Sequence, residues 1–234
     1  MRYTDLFIDF DDTLYDTRGN ATLALRELFE LYHWERHFDT PDDFITPYWR
    51  INDELWHQYA HGEIDRDTLI IERFRRPLAL GRGLSPTAAE CEAIGERFLQ
   101  LNAEKTAVVE GAHELMQHLA DRGYRLHLCS NGFGEVQYHK LAASDLGKYF
   151  HTVVLSEDAG ANKPAPAFFD YAFAQTGAAR ATTLMIGDNF ATDILGAMGV
   201  GLDTLFFNRK PEGFHALQPP TYEVHRLDEI AKIL

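Results

Sequence analysis

A chain of 234 residues that is 45% hydrophobic can bury one sizeable core, or a core with a smaller companion domain. Its net charge of -14, with no basic cluster to offset it, argues against polymeric nucleic acid as a partner. No run reaches the roughly 20 apolar residues needed to span a bilayer. The start of the chain lacks a basic segment followed by an apolar one, so no secretory signal is expected. The expectation is a cytoplasmic protein with no membrane partner. Cys91 and Cys129 make no paired motif and read as reduced thiols. Small anionic substrates remain admissible, because a metal and one lysine reverse the local sign.

The first strand candidate covers residues 4–10, with Leu6, Phe7 and Ile8 as its apolar run. From Ala21 to Asn102 the chain reads as helices. The first spans Ala21 to Arg36, with Leu25, Leu28 and Phe29. Pro47 opens a second, through Trp49, Leu55, Trp56 and Tyr59, which stops near Gly62. Asp65 caps a third with Leu69, Ile70 and Phe74. After the Gly81-Arg82-Gly83 loop, Ser85-Pro86 suits an N-cap and first-turn proline. The fourth helix carries Ile94, Phe98 and Leu101. Beyond Gly111 the pattern alternates. Helix 112–121 ends at Gly123. A strand follows at 124–129 and a helix begins near Phe133. Further strands are expected at 152–155, 182–186 and 202–206, with helices at 165–176 and 190–198. A crossover around Pro219-Pro220 precedes a short last helix. Such alternation argues an α/β fold with a mostly parallel sheet covered on both faces.

Three polar stations follow strands: Asp9-Phe10-Asp11, Ser130-Asn131-Gly132 and Gly187-Asp188-Asn189. Lys163 follows another. Ligands of parallel sheets bind beyond the carboxyl ends of the strands, so these stations point to one site. Asp188 can join Asp9 around a divalent ion, and oxygen ligands favour Mg2+. Asp193 can hold a metal-bound water or orient Lys163. Alone, each has a plainer reading. Asp9 and Asp11 make an acidic turn, Asp188 and Asp193 decorate a helix start, Lys163 is a solvated lysine, and Asn131 is an N-cap. Together they suit phosphoryl transfer to an aspartate. Asp9 attacks phosphorus. Asp11 protonates the leaving oxygen and then deprotonates water. Mg2+ and Lys163 offset charge on the phosphoryl oxygens, and Ser130 with the backbone near Asn131 supplies donors.

The strings FIDFDDTLYD at 7–16, LCSNGF at 128–133, Lys163-Pro164 and MIGDNFATD at 185–193 resemble the haloacid dehalogenase superfamily, in the branch with a helical cap inserted after strand one. The resemblance implies a Rossmann-like sheet in order 5-4-1-2-3. It divides the chain into a discontinuous core, 1–16 and 105–234, and a cap, 17–104. It implies Asp9 as nucleophile, Asp11 as acid/base, Ser130 and Lys163 on phosphate, and Asp188 with the Asp11 carbonyl as metal ligands. Asp193 matches the second acid of the last motif. Members that remove halide lack the second aspartate of the first motif. Asp11 is present here, so phosphatase or phosphomutase chemistry is favoured. Phosphonate hydrolases of the branch need an imine-forming cap lysine. Lys105, the one lysine between the first motif and Gly111, lies near the cap's return linker.

A narrower resemblance is to the pyrimidine 5'-nucleotidases of this branch. It rests on the cap strings from Asn52 to Trp56, Gly62 to Ile64 and Arg73-Phe74, and on NGFGEVQ at 131–137. It implies a Mg2+-dependent hydrolase of nucleoside monophosphates. Trp56 and Tyr59 are open to two readings, a surface over a nucleobase or ordinary hydrophobic anchors. Arg73 likewise meets substrate or pairs with surface acids. Alternatives are a phosphosugar phosphatase or phosphomutase with the same aspartyl-phosphate step, and a noncatalytic regulator. The oligomeric state is left open.

Overall fold

A computed structural model describes residues 2–209 and 218–234. The chain divides into two compact units, Met1–Thr17 with Ala107–Leu234, and Arg18–Thr106. Among the described residues, no helix is long and apolar enough to cross a membrane.

The first unit is built on six parallel strands: β1 (Asp5–Ile8), β2 (Arg125–Ser130), β3 (Thr152–Leu155), β4 (Thr183–Gly187), β5 (Asp203–Phe207) and β6 (Tyr222–Val224). Their spatial order is β3-β2-β1-β4-β5-β6. The expected order 5-4-1-2-3 is present, read from the other edge. β6 extends it beyond β5 and was not foreseen. At three residues it is too short to show a period. From β1 the chain winds first to β2 and β3, then crosses to β4 and β5. The reversal therefore falls between β1 and β4, where a parallel sheet opens a crevice beyond its carboxyl ends.

Strand alternation feeds two cores. Leu6 and Ile8, Leu126 and Leu128, and Leu184 and Ile186 face a cluster with Leu115, Met116 and Leu119 of α5 (Ala112–Asp121) and Leu227 and Ile230 of α10 (Leu227–Ile233). Phe7, Cys129 and Met185 point the other way, toward Phe168, Phe169 and Ala172 of α8 (Pro166–Thr176) and Ala197 of α9 (Gly196–Gly199). Neither face of β1 meets water, which is why its apolar run is continuous. The sheet is completed by α6 (Gly134–Ala143), α7 (Ser156–Ala159) and a wide π-type turn, Phe190–Leu195.

The second unit is helical, as expected. α1 (Thr17–Leu31) enters it from the first unit, and α2 (Pro41–Ala60), α3 (Arg66–Leu78) and α4 (Ala88–Ala103) follow. Their core joins Leu25, Leu28, Phe44, Tyr48, Phe74, Cys91, Ile94 and Phe98. Three boundaries differ from the sequence reading. α1 starts earlier and ends at Leu31, because His33 takes a left-handed φ of 54° and leaves Trp34–Arg36 as a separate turn. α2 starts at Pro41, where the Asp43 carboxylate accepts the Thr40 N–H at 2.8 Å, and Pro47 lies inside it. α4 is capped by Thr87, not Ser85. The Glu90 carboxylate accepts the Thr87 N–H at 2.8 Å, and Glu90 N–H donates to Thr87 Oγ1 at 3.3 Å. In both cases an acid three residues after the threonine completes the cap; at α4 it outweighs the Ser85-Pro86 signal, and at α2 Pro41 itself takes the first helical position. Asp65 caps α3 as expected, accepting from Thr68 N–H at 2.8 Å.

Arg73 does not sit on an acidic surface. It is buried, its guanidinium lies 5.4 Å from the Phe74 and Phe98 ring centroids, and its Nε has no hydrogen-bond partner among the described residues. Trp56 and Tyr59 are half-buried and pack edge to face. Lys105 Nζ lies 2.7 Å from Glu27.

At the opposite end of the sheet from the crevice, Asp5 is fully buried. It accepts hydrogen bonds from His127 Nε2 at 2.9 Å, Arg125 at 2.8 Å and Thr4 at 2.8 Å. Burial alone pushes the Asp5 carboxyl up, but those hydrogen bonds hold it below its ordinary value. Burial lowers His127, whose buried Nδ1 has no partner among the described residues. The unfolded state thus binds protons that the folded state resists. The His127 contribution is lost as pH falls below about 6.5, and the Asp5 contribution as pH falls below about 4. Urea midpoints should therefore drop from pH 7 to pH 3, and Asp5→Asn should flatten the acid part of that curve. An unchanged acid slope in the variant contradicts the assignment.

Candidate active site

Each station is delivered by a strand end of the first unit. Asp9 follows β1 and keeps the ladder bond from its N–H to Ile186 O at 2.9 Å. The chain then turns sharply. Leu14 and Tyr15 N–H both donate to Phe10 O, and Asp12 adopts a φ of 59°. The apolar members of this turn, Phe10 and Leu14, are fully buried, so the acids between them are held over the sheet edge.

Lys163 organises the centre. Its ammonium donates at 2.7 Å to Asp9 Oδ1, to Asp193 Oδ1 and to Cys129 O, which uses all three of its protons. The plainer reading of a solvated lysine fails, since Lys163 is only 1% exposed. Burial alone would lower the ammonium, but Asp193 and Asp9 hold it above the ordinary lysine value. Asp193 also accepts the Asn189 N–H at 3.1 Å. A Cβ at position 187 would lie 2.2 Å from Asp193 Oδ2, so only glycine lets β4 pass this carboxylate.

Thr13 links the next pair. Its hydroxyl accepts the Asp188 N–H at 3.1 Å and lies 3.0 Å from Asp9 Oδ2 and 3.2 Å from Asp188 Oδ1. Its single proton serves one carboxylate at a time. Asp9, Asp188 and Asp193 each bring an oxygen within 4.8 Å of the others. Burial drives the Asp9 carboxyl up, Lys163 opposes it, and Asp193 and Asp11 add repulsion, leaving it at about 7. Burial, then the charges of Asp9, Asp193 and Asp12, push Asp188 well above its ordinary value. Around one ammonium the site gathers more negative charge than it neutralises. A hard divalent cation with oxygen ligands fits that surplus, and the carboxylates of Asp9, Asp188 and Asp193 are the group that could hold one.

Asp11 is held apart from this centre. Thr17 donates to its Oδ1 at 2.5 Å, Lys140 forms an ion pair with the same oxygen, and Gln137 Nε2 donates to Oδ2. Burial alone raises Asp11, but Lys140 and the hydrogen bonds from Lys140, Thr17 and Gln137 bring it below the ordinary value. Gln137 Nε2 also donates to Ser130 Oγ at 2.7 Å, and Gly132 N–H donates there at 3.0 Å. Ser130 receives both bonds, so its own proton remains available to an anion. The Asn131 side chain does not reach toward that space. Its amide spans the Lys163 backbone, donating to Lys163 O at 2.9 Å and accepting from Lys163 N at 2.8 Å. It is not an N-cap either, since that position is Phe133. Only its main-chain N–H is left for an anion.

The structure thus brings Asp9, Lys163, Asp188 and Asp193 into direct contact range and ties Asp11 to Ser130 through Gln137. Thr13, Thr17, Gln137 and Lys140 were missed by sequence reasoning. Gln137 and Lys140 carried a faint signal. They lie three residues apart on the helix that follows the serine station, and so share one face.

The description haloacid dehalogenase-like hydrolase matches residues 6–201. The chain belongs to that family. It is an enzyme of the family's phosphatase kind. It is 34% identical over 236 residues to the HAD-hydrolase YfnB of Bacillus subtilis, covering 100% of this chain and 96% of YfnB. A crystal structure of YfnB bound to magnesium, which reveals interdomain movement, matches with a TM-score of 0.88 at 31% identity over 100% of this chain and 99% of that one. The chain is 30% identical to the pyrimidine 5'-nucleotidase YjjG of Escherichia coli, covering 100% of this chain and 99% of YjjG. It is 29% identical to the pyrimidine 5'-nucleotidase PynA of Streptococcus pneumoniae, covering 100% and 96%.

Lys163→Met leaves buried carboxylates facing one another without a cation. It should cost about 3–5 kcal/mol at pH 7 in urea denaturation, the range for breaking a buried pair. Part of that loss should return at pH 5, where the carboxyls take up protons. A cost under about 1 kcal/mol at pH 7 contradicts the central role given to this ammonium.

Proposed function

We propose that this enzyme is a Mg2+-dependent phosphomonoester hydrolase that works through an aspartyl-phosphate, and that its substrates are pyrimidine nucleoside 5'-monophosphates. The carrying observation is the Asp9 carboxylate, held by Lys163 at 2.7 Å beside an Asp188 that has no cationic partner among the described residues. The likeness to YjjG and PynA over the whole chain supports the substrate class.

Asp9 and Asp188, with the Asp11 carbonyl, would hold Mg2+, which when bound supplies positive charge against these carboxylates and the phosphoryl oxygens. The chain's own groups do the rest. Asp9 forms the bond to phosphorus as the ester bond breaks, and the leaving oxygen takes a proton from the Asp11 carboxyl. A water then attacks phosphorus and gives its proton to Asp11, and the bond from phosphorus to Asp9 breaks to release inorganic phosphate. In the free protein Lys140 keeps Asp11 ionised. A phosphate dianion arriving nearby raises its affinity for the proton it must carry. Lys163 has no proton to spare while Asp9 is a free carboxylate. It acts on the phosphoryl group by its field, and its bond to Asp9 is released for a phosphoryl oxygen as that oxygen becomes part of an acyl phosphate. Ser130 donates to another phosphoryl oxygen, and Asp193 keeps Lys163 aimed.

Two tests follow. Phosphate release from UMP, dUMP, dTMP, CMP, AMP, GMP and several sugar phosphates should show the highest kcat/KM on pyrimidine nucleotides. Asp9→Asn should lower kcat on the order of 10³-fold or more, as loss of a nucleophile does. A sugar phosphate as best substrate contradicts the substrate class, and activity retained in Asp9→Asn contradicts the mechanism. For the metal, Asp188→Asn should raise the metal-free melting temperature by removing a repelling carboxylate, and should abolish the further rise that Mg2+ gives the wild type. A Mg2+ response that persists in the variant contradicts the ligand assignment.

A further inference from the structure

The helix α6 presents Gln137 and Lys140, two side chains that form and break no bond in the chemistry above. Both are buried: Gln137 is fully covered and Lys140 is 7% exposed. A lysine serving only to solvate a helix would extend into water. Lys140 instead turns inward, with its Nζ 5.3 Å from the Tyr15 ring centroid, and pairs with Asp11 Oδ1. Gln137 occupies a space kept open for it, since a Cβ at position 132 would lie 1.9 Å from its Nε2. That one amide nitrogen touches both Asp11 and Ser130, while its Oε1 is buried without a partner among the described residues. Orphaning a buried carbonyl is costly, so the amide is held in this orientation by what its nitrogen does.

We infer that Lys140 and Gln137 are positioning residues for the reaction: they lock the Asp11 carboxyl in rotation and height against Ser130, so that its proton meets the leaving oxygen. Both oxygens of Asp11 are engaged, Oδ1 by Lys140 and Thr17, Oδ2 by Gln137, which leaves the group no free rotation. Lys140 acts only through Asp11 and touches neither the nucleophile nor phosphorus. This rests on the phosphatase reading and adds residues that the four motifs do not contain.

The inference separates from a merely structural role by the kind of ester cleaved. A nucleoside or other alkyl ester leaves as a poor alkoxide and needs the proton. p-Nitrophenolate leaves well without it. Lys140→Met and Lys140→Arg should be compared with wild type on UMP and on p-nitrophenyl phosphate, with Mg2+. Lys140→Met should lower kcat on UMP by about 30-fold or more, part of the roughly 10²–10⁴-fold that general acid–base catalysis contributes, with KM moved less than about threefold. The ratio of kcat on UMP to kcat on p-nitrophenyl phosphate should fall at least about tenfold, and Lys140→Arg should restore most of it. In an Asp11→Asn background, Lys140→Met should add little, since the two act as one unit. Equal losses on both esters, or full additivity with Asp11→Asn, overturn the inference and leave the phosphatase reading standing. Absence of wild-type turnover on both esters overturns that reading and the inference with it.

Discussion

One buried ammonium holds this site together. Lys163 binds the carboxylate after β1, the carboxylate on the turn after β4 and the carbonyl at the end of β2. Those three strands are neighbours only because β1 sits between β2 and β4. The lysine is thus a tie across the switch in strand direction, and its geometry reports that the sheet has closed in the right order. Burying a charge in this way is unfavourable unless every proton finds an acceptor. Here each does, and Asn131 fixes the lysine's backbone so that the side chain can reach.

The same tie leaves the site out of balance. Asp9 and Asp193 satisfy the ammonium, and Asp188 is then a further acid in the same small volume. Burial and then repulsion push Asp9 to about 7 and Asp188 well above its usual range. A protein selected for stability alone gains nothing from that crowding. It makes sense as preorganisation for positive charge and for a phosphoryl group, where fixed charge does more than it does in water. Asp11 has the opposite setting. Its cation and its hydrogen bonds come from α6 and Thr17, outside the Lys163 cluster, so two carboxylates two residues apart are given different chemistry by different neighbours.

Much of this was legible in the amino-acid order. Continuous apolar runs ending in Asp9-Phe10-Asp11, Ser130-Asn131-Gly132 and Gly187-Asp188-Asn189 are a one-dimensional signal, because in a parallel sheet every strand leaves toward the same edge. What escaped depends on three-dimensional neighbours. Lys140 is ten residues past Ser130, and nothing in its local sequence shows that it turns inward. The Asn131 side chain was read as an N-cap and proves to be a brace on the Lys163 backbone. Elsewhere, Thr87 was overlooked as a cap because Ser85-Pro86 is the louder mark, and Thr40 because Pro47 was taken for the helix start although Pro41 also follows a threonine with an acid three residues on. The break at His33 rests on a left-handed conformation that histidine does not announce.

The central claim is that Asp9 becomes phosphorylated. Rapid acid quench of the wild-type enzyme turning over radiolabelled UMP with Mg2+, followed by peptide mapping, tests it most directly. The account predicts a transient phosphoryl adduct on the peptide carrying Asp9, formed and lost at rates that match turnover, and absent from Asp9→Asn. Turnover with the adduct on another residue, or with no adduct even when its hydrolysis is slowed by Asp11→Asn, contradicts it.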